Sequence, residues 1–132
     1  ECWWGFAEPI NIASINRKDE IPSGKVKGLS ITNVRCKGEG SIYIAGKDSA
    51  PIEDLTLSNI RLELEKTTKY PIKGYDFRPC CGPDFQEGKI NGIYVKNAKN
   101  VKAENLEVTV HDNMKEWVDK EICFENAVVK EK

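Results

Sequence analysis

The sequence predicts an all-β fold: a right-handed parallel β-helix, of which this chain holds the C-terminal coils. Three observations lead there. One eight-residue phrase recurs along the chain, it alternates apolar and polar side chains, and a small polar residue interrupts the alternation at its fifth place. The phrase reads LSITNVRC at 29–36, LTLSNIRL at 55–62, IYVKNAKN at 93–100, VKAENLEV at 101–108 and ICFENAVV at 122–129.

Alternation with period two marks β-strands, because successive side chains point to opposite faces. In four copies the first, third, sixth and eighth places are apolar: Leu29, Ile31, Val34, Cys36; Leu55, Leu57, Ile60, Leu62; Val101, Ala103, Leu106, Val108; Ile122, Phe124, Ala127, Val129. The parity therefore slips by one across the fifth place. A strand running straight on would turn Val34 and Cys36 outward, so the chain must bend there to keep both halves inward. Asn33, Asn59, Asn97, Asn105 and Asn126 occupy these corners. Asn tolerates the left-handed conformation better than other non-Gly residues, and stacked amides can bond to the copies above and below. Two weaker copies, INIASINR at 10–17 and IYIAGKDS at 42–49, put Ser14 and Gly46 in the same place.

The elements follow in order. Residues 29–31 and 34–36 form two faces of the first well-defined coil, and 42–44 the third. Residues 55–57 and 60–64 begin the next, which resumes at 93–95 after a long excursion. Residues 101–103 and 106–110 follow, and 122–129 closes the stack. Corner spacings of 26 residues (33 to 59), 46 (59 to 105) and 21 (105 to 126) fit a repeating coil with one insertion. A leucine-rich repeat would set its Asn one place later and needs a helical segment that is missing here. A sandwich would put turns such as Asn91-Gly92 between two paired strands, and this one only precedes a strand. Helical signals are confined to NMKEWVDKE at 113–121, one or two turns in which Trp117 covers the C-terminal end of the core.

Composition narrows the function classes. Hydrophobic residues at 39% and charged ones at 31% fit one folded domain over 1–132. Twenty basic against 21 acidic residues leave a net charge of −1, with no footprint for nucleic acid, and no apolar run is long enough to span a bilayer. Five cysteines at 2, 36, 80, 81 and 123 lack zinc-knuckle spacing, and His111 has no thiol neighbour in sequence, so neither metal nor cofactor is expected. Cys36 and Cys123 read as small core residues. Glu8, Asp48 and Asp54 fall where turns favour acidic side chains. The charged end VVKEK blunts the last edge. The opening residues already read as structure, so a start within a longer protein is expected, along with self-association through an uncapped N-terminal end. A stable monomer on dilution would contradict the latter.

The excursion at 65–89, EKTTKYPIKGYDFRPCCGPDFQEGK, breaks the repeat and carries the candidate binding residues. Tyr75 offers an aromatic face, and Arg78 a bidentate partner for a uronate carboxylate beside Asp76. The competing role for Asp76 and Arg78 is to pin the loop to the scaffold. Trp3 and Trp4 present the same choice between ring stacking and burial; Trp4 joins the candidate set.

WWGFAEPINIASINR, GKVKGLSITNVRCKGEGSIYIAGKDSAPIEDLTLSNIRLEL and YDFRP together resemble the C-terminal part of the polygalacturonase-like glycosidases, glycoside hydrolase family 28, over about residues 2–110. The resemblance implies a right-handed parallel β-helix, an extracellular or periplasmic location and inverting hydrolysis of galacturonic-acid-containing (pectic) polysaccharide. The chain departs from the family where chemistry is done. The Asn-Thr-Asp, Asp-Asp, Gly-His-Gly and Arg-Ile-Lys motifs are all missing, so no catalytic carboxylate is assigned, and His111 reads as a turn or surface residue. Three functions from different classes remain: part of a pectin-type glycosidase whose catalytic residues lie elsewhere, a non-catalytic polysaccharide-binding or structural module, or an unrelated adhesin-like or assembly solenoid sharing only the fold.

Overall fold

A computed structural model describes residues 8–14, 24–76 and 85–130. Among these the protein is built from strands, β1 (Ile10–Ala13), β2 (Ser30–Gly38), β3 (Ile42–Ala45), β4 (Ile52–Leu64), β5 (Gly74–Asp76), β6 (Phe85–Glu87), β7 (Ile93–Val110) and β8 (Ile122–Lys130), with one 3₁₀ turn at Asp112–Met114. No α-helix occurs among the described residues. Six strands form one parallel sheet in the order β1-β3-β7-β4-β2, with β8 on the far side of β7. β5 and β6 form a separate antiparallel ribbon within the 65–89 excursion.

The sheet is layered in register. Ile10 pairs with Ile42, Ile42 with Ile93 and Ile93 with Ile122. Farther along the same layers, Ile31 pairs with Leu57 and Leu57 with Ala103, then Val34 with Ile60 and Ile60 with Leu106. Like side chains therefore pile on like. Ile42, Ile44, Ile52, Leu55, Leu57, Ile60, Leu64, Ile93, Val95 and Val101 are all fully buried in a single apolar cluster. Burial of each such side chain contributes about 1.5–3 kcal/mol relative to exposure. The second layer, β3 with β4, is covered on both sides and is the most deeply buried.

The sheet curls because its strands bend at residues with positive φ. Asn33 (57°), Asn59 (54°), Asn97 (53°), Asn105 (54°) and Asn126 (48°) are all left-handed. The repeated phrase nevertheless falls at two places in each of the first three layers, not one. Asn33, Asn59 and Asn105 form one column, with Asn59 Nδ2 donating to Asn33 Oδ1 and Asn105 Nδ2 to Asn59 Oδ1, each at 2.9 Å. Ser14, Gly46, Asn97 and Asn126 form the other. There Asn97 Nδ2 donates to the Gly46 carbonyl at 2.9 Å and Asn126 Nδ2 to Asn97 Oδ1 at 2.7 Å. Ser14 joins the column through its N–H to the Ala45 carbonyl. The 21-residue gap from Asn105 to Asn126 therefore crosses between columns, and the true interval to Asn126 is the 29 residues from Asn97. Gly46 is needed for close approach rather than for φ: a Cβ there would lie 2.7 Å from the Ile52 nitrogen and 2.8 Å from the Asn97 carbonyl oxygen.

A third corner column escaped the sequence pattern. Gly28 (77°), Asp54 (54°) and Asn100 (56°) are also left-handed, and Asn100 Nδ2 donates to Asp54 Oδ1. Each stands five residues before Asn33, Asn59 or Asn105. β8 passes this corner one residue short: Ala127 pairs with Ala98 but Val129 with Val101, leaving Val128 67% exposed. Among the described residues nothing in that layer donates to Asn100 Oδ1, which is buried without a hydrogen-bond partner.

The stretch at 113–121 contributes the 3₁₀ turn. Met114 is fully buried there, and Trp117 packs on the core only partly covered. Cys36 packs against the core from β2. Cys123 does not: it faces away from Ile122 and Phe124, in register with Tyr94, on the outer side of the strand.

Candidate functional site

The 65–89 excursion begins where β4 ends, and one buried acid anchors it. Glu39, just after β2, is 4% exposed. Its Oε1 accepts from Lys66 Nζ (2.7 Å) and from the backbone N–H groups of Thr67 (3.0 Å) and Thr68 (3.1 Å), while Oε2 accepts from the Thr68 hydroxyl (2.8 Å). Burial opposes ionisation, but this set of donors outweighs it and holds the Glu39 carboxyl at about 2. Asn113 closes the same corner, exchanging hydrogen bonds with the Lys66 backbone (3.0 and 3.1 Å).

The candidate loop residues have different fates. Tyr75, on β5, is 3% exposed and packs against the stacked pair of Tyr43 (centroids 4.8 Å apart) and Tyr94 (5.8 Å) on the outer side of β3 and β7. Its hydroxyl accepts from the Asn91 backbone N–H at 2.8 Å, and burial, only partly offset by that bond, pushes the phenol up. The ring seats the ribbon on the sheet. Asp76 is held by its backbone: its N–H donates to Glu8 Oε1 and its carbonyl accepts from Asn11 Nδ2, each at 3.0 Å. The Glu8 carboxyl is itself pushed up by burial, against the bonds it accepts from the Asp76 N–H and Asn11 Nδ2. At the outer end of the cluster Tyr94 donates to Glu125; burial, reinforced by that carboxylate, raises its phenol. Arg78 and Trp4 lie outside the described residues.

A second polar surface runs along the outer face of β2, β4 and β7, past the Asn33–Asn59–Asn105 corner. Outward places put Arg35 beside Arg61 and Arg61 beside Glu107, and Lys37 beside Glu63 and Glu63 beside Thr109. These six side chains line an open groove of about 520 Å³. Arg61 Nε reaches Glu107 at 3.6 Å. Arg35 has no ion-pair or hydrogen-bond partner among the described residues. The pattern that could have revealed this surface was in the phrase itself: the second and fourth residues after Asn33, Asn59 and Asn105 point outward.

At the end of the groove, Glu63, Glu65 and His111 bring one ligand-type atom each to within 4.8 Å of one another. His111 Nε2 lies 2.6 Å from Glu63 Oε1. Lys37 Nζ lies 2.5 Å from Glu65 Oε2 and 3.9 Å from Glu63 Oε1. That hydrogen bond from Lys37 keeps the Glu65 carboxyl below its usual range. These two carboxylates are unsuited to inverting hydrolysis, which needs about 6.5–9.5 Å between an acid and a base. They are suited to holding a cation. Comparison with family models, curated proteins and solved structures returned no match for this chain.

Proposed function

We propose that the curled sheet is a stretch of right-handed parallel β-helix belonging to a pectin-type, polygalacturonase-like glycosidase, and that this chain binds galacturonate-containing polysaccharide without supplying the catalytic carboxylates. The sequence resemblance in the W-G-EPI and DxRP segments suggests the family and an extracellular or periplasmic setting. One structural observation supports the substrate class. Arg35 and Arg61 stand side by side in register on the groove, at the ~4.8 Å strand spacing, and only Arg61 has a carboxylate partner among the described residues. Adjacent guanidinium groups repel unless an anion lies between them, and a planar uronate carboxylate meets a guanidinium with two parallel hydrogen bonds.

The test is calorimetric titration with oligogalacturonate and with an uncharged oligosaccharide of the same length. Oligogalacturonate should bind and the uncharged chain should not, and Arg35→Ala with Arg61→Ala together should weaken binding at least tenfold. Equal binding of the two sugars, or an unchanged affinity in the double variant, would end the proposal.

The enzyme and the non-catalytic module both leave this chain without a catalytic pair of its own. Glu63 and Glu65 both lie within reach of Lys37, and the Glu39 carboxylate is enclosed by its donors. This chain alone should release no reducing sugar from polygalacturonate. Release by a longer form of the protein selects the enzyme, and binding without release in every form selects the module.

A further inference from the structure

The cluster at the end of the groove carries an inference independent of any sugar. We propose that Glu63, Glu65 and His111 form a binding site for a first-row divalent transition metal, Zn²⁺ being the natural probe, and that Lys37 is an internal cation which the metal displaces.

The three donors come from separate parts of the chain. Glu63 belongs to β4, Glu65 opens the excursion, and His111 lies between β7 and the 3₁₀ turn. Sequence spacing left His111 without a partner because Glu63 is 48 residues away. The backbone under the ligands is fixed. Glu63 is paired on both sides, to Lys37 and Thr109, and the Glu65 N–H donates to the Gly38 carbonyl at 3.0 Å. The His111 N–H donates to the Leu64 carbonyl at 2.9 Å. Only side-chain torsions need adjust to bring donors now within 4.8 Å to the roughly 3.3 Å separation that metal bonds of about 2.0–2.2 Å impose.

A second observation points to a cation rather than to a solvated acidic patch. The Lys37 ammonium already sits against both carboxylates, 2.5 Å from one and 3.9 Å from the other, so it stands in for a positive charge at this point. A divalent ion placed among the three donor atoms beside it meets two carboxylates and an imidazole nitrogen. That donor set suits Zn²⁺ and its neighbours, whereas Ca²⁺ and Mg²⁺ prefer oxygen alone. The side chains of His111 and Glu63 are 36% and 43% exposed, so a fourth position stays open to water. Binding would tie the start of the excursion to the end of β4 and to the segment after β7.

The test is titration of the folded chain with Zn²⁺, and with Co²⁺ as a spectroscopic substitute. One equivalent should bind with a Co²⁺ spectrum free of thiolate charge transfer, which separates this site from the five cysteines. Lys37→Met, which removes the competing cation, should tighten binding about tenfold. His111→Gln and Glu65→Gln should each weaken it at least tenfold, and Ca²⁺ should not compete. Far-UV circular dichroism checks each variant, and the two ligand substitutions stand in for one another if either misfolds. Unchanged affinity in a folded ligand variant, thiolate bands in the Co²⁺ spectrum, or no stoichiometric binding by Lys37→Met would each overturn the assignment.

Discussion

Two ionic clusters lie close together in sequence at the end of β4, and they do different things. Glu39 and Lys66 are sheltered, with side chains 3% and 11% exposed, and Glu39 accepts from a lysine, two backbone amides and a hydroxyl. Glu63 and Glu65, by contrast, face water with 43% and 30% of their side chains exposed, and share one lysine. The same residue types form a structural staple in one place and an exchangeable cation pocket in the other. Burial decides which. In a sheltered place each missing partner leaves a desolvated charge, whereas in water solvent replaces it.

The largest effect that would break this contrast is Glu39→Ala. It strands Lys66 and the amides of Thr67 and Thr68 and should cost about 3–5 kcal/mol in urea denaturation. Glu39→Gln keeps an acceptor for the amides but loses the charge, and should cost about 1–3 kcal/mol. A value near zero for Glu39→Ala would dissolve the distinction. Acid should act through the same group. Its carboxyl is depressed from 4.5 to about 2, so its contribution is fully present above pH 4.5 and is lost as pH falls toward 2. That loss is on the order of 2–3 kcal/mol, and the Glu39→Gln variant should lack this part of the pH dependence.

A corner of the Asn33–Asn59–Asn105 column should fall next. Asn59→Ala loses two ladder hydrogen bonds and forces a Cβ residue without a polar side chain into positive φ, costing about 1–3 kcal/mol. Asn59→Gly restores the conformational freedom and should recover part of the loss. The smallest effect belongs to the exposed cluster. In metal-free buffer Lys37→Met should leave the urea midpoint where it was, in low and high salt alike. A clear drop would show that this pair, too, is a staple.

The strands were legible because their signal is local. Period-two alternation requires only that one side of each strand meets other apolar chains, and that condition travels with the residues themselves. The Asn corners were legible for the same reason, since left-handed tolerance is a property of the residue. Asp54 and Asn100 were missed as corners. An acidic residue in a turn, and a second Asn three residues after Asn97, offer no apolar slip of their own. The pattern that marks them, a Gly, Asp or Asn five residues before each Asn of the first column, becomes visible only after the layers are aligned. Tyr75 shows the opposite limit: an aromatic among Pro and Gly suggested a ligand platform, and its burial against Tyr43 and Tyr94 depends on where the ribbon lands.

By itself, then, the sequence determined the strands of the repeat, the phrase corners that fill its two columns and the inward set of apolar side chains, because each follows from backbone and side-chain preferences within a few residues. Only the tertiary structure decided which corners share a column, that Arg35 stands beside Arg61, and that His111 meets Glu63 across 48 residues of chain. Those partnerships are set by the number of residues each layer consumes before the chain returns, and loop length leaves no mark on the residues that it brings together.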